Sequence, residues 1–147
     1  MIHHMRTLLA SFLFTALLTG CATNQPLMSE LKPIAKERHF AANVPIEGGA
    51  SVTLLRDQSF AGSAVDYRIL IDGRLSAQLA WGEFVVMHVP SGERVIELRH
   101  PSATLGAIGD STTLRAEPAA KYFYRITSDV GQMRLLRTTA ESVGLAK

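Results

Sequence analysis

From position 51 onward, apolar and polar residues alternate in short runs of five to seven, each closed by a turn signal. That period of two predicts half-buried strands over 52–56, 65–71, 74–79, 84–89, 94–99, 112–116, 122–128 and 132–138. The second run is the clearest: Val65, Tyr67, Ile69 and Ile71 share one face, Asp66 and Arg68 the other. Asp72-Gly73 follows it, and a type I′ hairpin turn, which needs positive φ at both central positions, favours such a pair. Pro90-Ser91-Gly92-Glu93 marks a second tight turn. No helix of crossover length separates the runs, which excludes a parallel α/β fold. The expected fold class is all-β, a small antiparallel β-sandwich with one face of each sheet inward.

Residues 22–49 follow no such period. Pro26, Pro33, Pro45, Gly48 and Gly49 punctuate them, so they are expected to form a flexible tether and lead-in. A short helix over 29–38, capped by Ser29, is the one regular element expected there, with Pro33 tolerated only in its first turn. The expected role of the segment is reach, since some 25 extended residues span at most roughly 80 Å. The tail from Ala140 is expected to make one helical turn.

The first 20 residues differ again. Arg6 precedes the apolar run Leu8, Leu9, Ala10, Phe12, Leu13, Phe14, Ala16, Leu17 and Leu18, which ends in small residues. At about 20 Å as a helix, the 7–19 run is too short to cross a bilayer. It has the layout of a processed leader. Met5-Arg6-Thr7 offers a second candidate start. Leu18-Thr19-Gly20-Cys21 resembles the lipobox of bacterial lipoproteins: an aliphatic residue, a small one, Gly or Ala, then Cys. That resemblance implies diacylglyceryl transfer to the Cys21 thiol and cleavage before it. Two or more acyl chains convert weak membrane association into stable anchoring. Ala22 stands where aspartate resembles an inner-membrane retention signal. The implied destination is therefore the outer membrane, on its periplasmic face.

The expected organisation is a leader over 1–20, a lipidated tether and lead-in over 21–49, a sandwich over 50–139 and a tail over 140–147. Removing the leader takes away one basic residue, Arg6, and no acidic one, leaving a formal net charge of +1. Such a balance provides no field for nucleic acid. Cys21 is the single cysteine, so lipidation leaves no thiol for a disulfide or a nucleophile.

The stretch from about 52 to 138 also resembles a family of small bacterial periplasmic domains, the domain of unknown function 2846. The matching features are Leu55-Arg56, Ser59-Phe60-Ala61-Gly62, Ile71-Asp72-Gly73, Leu79 with Gly82-Glu83-Phe84, Val89-Pro90-Ser91-Gly92 and Tyr122-Phe123-Tyr124. The resemblance implies an immunoglobulin-like or PEGA-like sandwich and no particular chemistry. Ser91-Gly92-Glu93-Arg94 lacks the histidine that commonly follows this turn in the family.

Candidate chemistry is sparse. His39, His88 and His100 have no metal-ligand spacing, and no Gly-x-Ser-x-Gly elbow is present, so neither cofactor nor metal is expected. Four residues are candidates for partner binding. Trp81, in a turn before Gly82, either anchors a partner or caps the core. Phe123, opposite Tyr122 and Tyr124, is either an exposed aromatic or a sign that both sheet faces are covered. Arg56 and Arg68 either line a groove for an anion or carry their charge out to solvent. The functional expectation is a membrane-anchored envelope lipoprotein, held by acyl chains in the bilayer. It is expected to act without catalysis as a binding or assembly module for an envelope protein. Peptidoglycan or glycan is the alternative ligand, and an envelope hydrolase using His88 or His100 is the rival class.

Overall fold

The computed structural model describes residues 25–59, 63–102, 109–129 and 132–145. The leader, Cys21 and residues 103–108, which fall in the connection over 102–110 that the sequence reads as flexible from its two glycines and few bulky groups, lie outside the described residues. Nine strands are formed among them: β1 (Lys32–Pro33), β2 (Ala50–Arg56), β3 (Tyr67–Ile71), β4 (Arg74–Leu79), β5 (Glu83–Val89), β6 (Gly92–Arg99), β7 (Asp110–Ala116), β8 (Lys121–Asp129) and β9 (Gln132–Thr138). They make a five-stranded sheet ordered β1-β5-β2-β8-β9 and a four-stranded sheet ordered β4-β3-β6-β7. The fold is a small, mostly antiparallel β-sandwich, as the period of two predicts.

Each of the eight expected runs is a strand, and their details follow from side-chain chemistry. In the β3–β4 hairpin, Asp72 and Gly73 take φ of 49° and 76°. The Asp72 carboxylate also accepts from the Val95 backbone N–H at 2.8 Å and from Arg94 Nη1 at 2.9 Å, tying this turn to β6. The register of β3 with β4 shifts between Ile69 and Leu70, skipping Ser76, and Ile69, Leu70 and Ile71 are all buried. The Tyr122 hydroxyl donates to Arg115 O and accepts from Glu117 N, which fixes the β7–β8 turn.

Two pairings depart from the antiparallel expectation. β2 pairs with β8 in parallel, from Ser51 opposite Lys121 to Arg56 opposite Ile126, and β1 pairs with β5 in parallel. Alternation within a strand records which residues face inward, and the choice of neighbour leaves no mark on it. Between the sheets lies the main core, with Val52, Leu54, Ile69, Leu79, Met87, Ile96, Leu98 and Ile126 fully buried. Closing such side chains away from water contributes roughly 1.5–3 kcal/mol each before conformational entropy is charged.

The lead-in is the main surprise. No helix forms over 29–38, because Pro33 falls in its middle. Instead 3₁₀ turns at Met28–Glu30 and Lys36–Arg38 flank the two-residue strand β1. From Gln25 on, the segment is a belt laid over the sandwich. Gln25 Nε2 donates to Thr138 Oγ1 and Ser142 O, Met28 N to Val143 O, and Lys32 N to Gly82 O. Phe40 N and Ala41 N then reach Ser76 O on β4, and His88 N of β5 donates to Ala42 O. The reach expected of some 25 free residues is therefore corrected: Gln25 is already fastened. Under belt and tail sits a second core of Leu31, Leu55, Phe123 and Val143, packed by Met28, Phe84 and Ala140. The tail from Ala140 closes this cover as a turn, with Leu145 N donating to Ala140 O.

Candidate functional site

Four connections share one end of the sandwich: those after β2, β4, β6 and β8. Arg56 ends β2 there and points inward. It is 1% exposed, its Nη1 donates to Val65 O and Leu79 O at 2.7 and 2.6 Å, and its guanidinium lies 3.7 Å from the Tyr67 ring centre. Burial lowers its pKa, with Tyr67 and Asp66 acting the other way, yet a guanidinium remains charged. The consequence is structural: one buried cation gathers the entry to β3 and the exit of β4 onto β2.

Next to it, Asp57 takes a bidentate grip on Arg125 of β8, at 2.7 and 2.8 Å from Nε and 2.5 Å from Nη2. Burial pushes the Asp57 carboxyl above its ordinary pKa, and the Arg125 pairing only partly offsets that. A third charged link fixes the belt. Arg38 donates to Glu83 at 2.7 and 2.5 Å, and Glu83 also accepts from Ala80 N at 2.9 Å. Burial alone would raise the Glu83 pKa, but Arg38 and the Ala80 N–H outweigh it and hold the carboxyl below its usual range.

Beyond Arg125 the outer face of β8 and β9 is uncovered. Arg125, Thr127, Ser128, Asp129, Gln132, Arg134 and Leu136 line an open groove of about 570 Å³. Arg125 is committed to Asp57, and Arg134 Nη2 donates to Gln132 Oε1 at 2.9 Å. The groove thus offers cationic, anionic, amide and hydroxyl groups and one exposed leucine. A smaller recess of about 340 Å³ lies between residues 41–46 of the belt, the β3–β4 hairpin and the β5–β6 turn, with His88 and Asp72 in its wall.

The four candidate binding residues do not converge. Trp81 is 44% exposed, its indole N–H donating to Ser59 O at 2.9 Å. Phe123 is 8% exposed and lies in the second core, so both faces of this sheet are covered around it. Arg56 is interior, while Arg68 is exposed on β3 of the other sheet. Cys21 lies outside the described residues. The sequence does not mark Arg125, Asp57 and Arg134 as a site: Arg125, Thr127 and Asp129 alternate with Tyr124, Ile126 and Ser128, the pattern of a solvated face.

His100 Nδ1 lies 2.6 Å from Ser102 Oγ and also accepts from Ser102 N, a local turn with no carboxylate joined to it among the described residues. His39, on the belt, has a buried Nε2 without a hydrogen bond, and burial followed by the charge of His88 lowers its pKa. Among the described residues no cluster of metal-ligating side chains forms, and no helix is long and apolar enough to cross a membrane.

Fold and site together define a belted two-sheet β-sandwich with an open polar groove on one sheet. Compared with known proteins, the chain matches no family model and no curated sequence.

Proposed function

We propose that this chain is a lipoprotein of the bacterial envelope, anchored in the outer membrane by acyl chains on Cys21, with its sandwich on the periplasmic face. There the sandwich serves, without catalysis, as a binding or assembly module for an envelope protein. The observation that carries this reading is Leu18-Thr19-Gly20-Cys21 closing a short apolar run that begins after Arg6. The groove of β8 and β9 supports the binding role, since it is open, lined by polar side chains and built on two paired strands. Confinement to a surface raises local concentration, so a weak interface there suffices.

A peptidoglycan or glycan ligand finds less support. That reading asks for Tyr122 or Tyr124 exposed beside Trp81, and both tyrosines are buried in the main core.

The test is an intact mass of the membrane-extracted protein, with photo-crosslinking in cells from Leu136 and Trp81. Expected are a chain beginning at an acylated Cys21, release of Cys21→Ala from the membrane fraction, and one recurrent protein adduct from Leu136. Residues 7–19 still attached, or a bare thiol at position 21, overturn the anchoring; adducts of no recurrent mass overturn the binding role.

A further inference from the structure

Because Gln25 is fastened to Thr138 and Ser142, only four peptide steps separate it from Cys21. At full extension those steps span about 14 Å. The sandwich is thicker than that: its two sheets stand about 10 Å apart, and the outer side chains bring the whole to roughly 20 Å. An acylated Cys21 lies at the depth of the lipid headgroups. The four-stranded sheet therefore cannot face the bilayer while Gln25 keeps its hydrogen bonds. The corner where the belt begins must face it instead.

That corner is shaped for the contact. Leu27 is 43% exposed and Leu145 37%, although each is a large apolar side chain on a short, well-anchored turn. Leu27 lies against Gly144, the residue before Leu145: an added methyl group there would stand 3.2 Å from Leu27 Cδ2. Leu136, also exposed, shares the outer face of β9 with Thr138, the residue that holds Gln25. The short covalent leash and the leucines dictate the orientation.

We propose that the corner built by residues 25–27 and 140–145 rests on the lipid surface, with Leu27 and Leu145 at headgroup depth. This inference rests on the acylation of Cys21. It adds an orientation: the β8–β9 groove opens beside the membrane, while the four-stranded sheet points away from it. A partner for the groove is then reached at the membrane surface.

The experiment uses acylated full-length protein in phosphatidylethanolamine–phosphatidylglycerol vesicles carrying doxyl-labelled lipid. Acylation caps Cys21, so a fluorophore placed on Leu145→Cys or on Thr113→Cys labels one site only. Thr113 is an exposed residue of β7 on the four-stranded sheet. Quenching at position 145 is expected to exceed that at 113 several-fold. It is also expected to fall toward the 113 level when a long Gly/Ser insert separates Ala22 from Gln25. Equal quenching at the two positions, in protein whose mass shows the acyl chains, overturns this orientation and leaves the anchor standing. A bare thiol at position 21 overturns the anchor, and the orientation with it.

Discussion

On the outer side of the five-stranded sheet Leu55 and Phe123 are sealed from water, whereas on the outer side of the four-stranded sheet Leu75 and Val95 are each 37% exposed. The difference lies in what each sheet carries on its back. The four-stranded sheet is antiparallel throughout and solvated on one side, and β6 and β7 keep a clear alternation of buried and open positions. The five-stranded sheet is clothed by belt and tail, so six of the seven residues of β2 are buried. A strand next to a parallel neighbour and covered on both faces loses its polar side, as parallel sheets generally do. The belt is thus a structural layer of the domain.

The comparison breaks first at Phe123. Phe123→Ala should cost about 3–4 kcal/mol in urea unfolding, as for truncation of a core aromatic. Thr113→Ala on the other sheet's outer face should stay within about 0.5 kcal/mol. Equal, small effects would show that belt and tail are not a second core.

Next comes the clasp between belt and β5. Arg38→Met should cost about 1.5–3 kcal/mol, the range for a hydrogen bond to a charged group. The pH dependence sharpens this. Glu83 has a folded pKa below its ordinary 4.5, so its contribution is present above that value and is lost as pH falls through the folded one. Without Arg38, that loss on acidification should shrink, which urea titrations at a series of acidic pH values would register.

Asp57 acts in the opposite sense. Its folded pKa is raised, so the stability it contributes is present below its unfolded pKa and declines as pH rises through the folded one. In Asp57→Asn that decline disappears, and stability should climb more steeply with pH across the acidic range than in the wild type. A difference curve of the opposite slope would mean that Arg125, and not burial, governs this carboxyl. The smallest effect on stability is expected at the bare part of the five-stranded sheet. Arg134→Glu should change it by no more than about 0.5 kcal/mol. The same substitution should remove the adduct formed from Leu136 in cells.

The strands were legible because a half-buried strand writes its inner face into every second residue, as in Val65, Tyr67, Ile69 and Ile71. Even the doubled covering left a trace, since Phe123 stands between two inward tyrosines. The belt left none: two 3₁₀ turns and a two-residue strand are too short to carry a period, and Pro33 disguises β1 as a linker. Arg56 was equally opaque. Its acceptors, Val65 O and Leu79 O, are backbone atoms from two other strands' ends, and no spacing rule links them to position 56. The groove depends on what β9 lacks as a neighbour, which side-chain order does not encode.

The parallel contact of β2 with β8 joins segments seventy positions apart. A domain with its central ladder closed across such a separation acquires its middle last, and long-range pairing of this kind places folding in the millisecond-to-second regime. A chain emerging from its N-terminus exposes β2 with one side unfilled until residue 126 has appeared. Throughout that interval the unfilled side is a template for any other extended polypeptide. The maturing molecule therefore has a vulnerable age, and it ends only when its last hairpin docks.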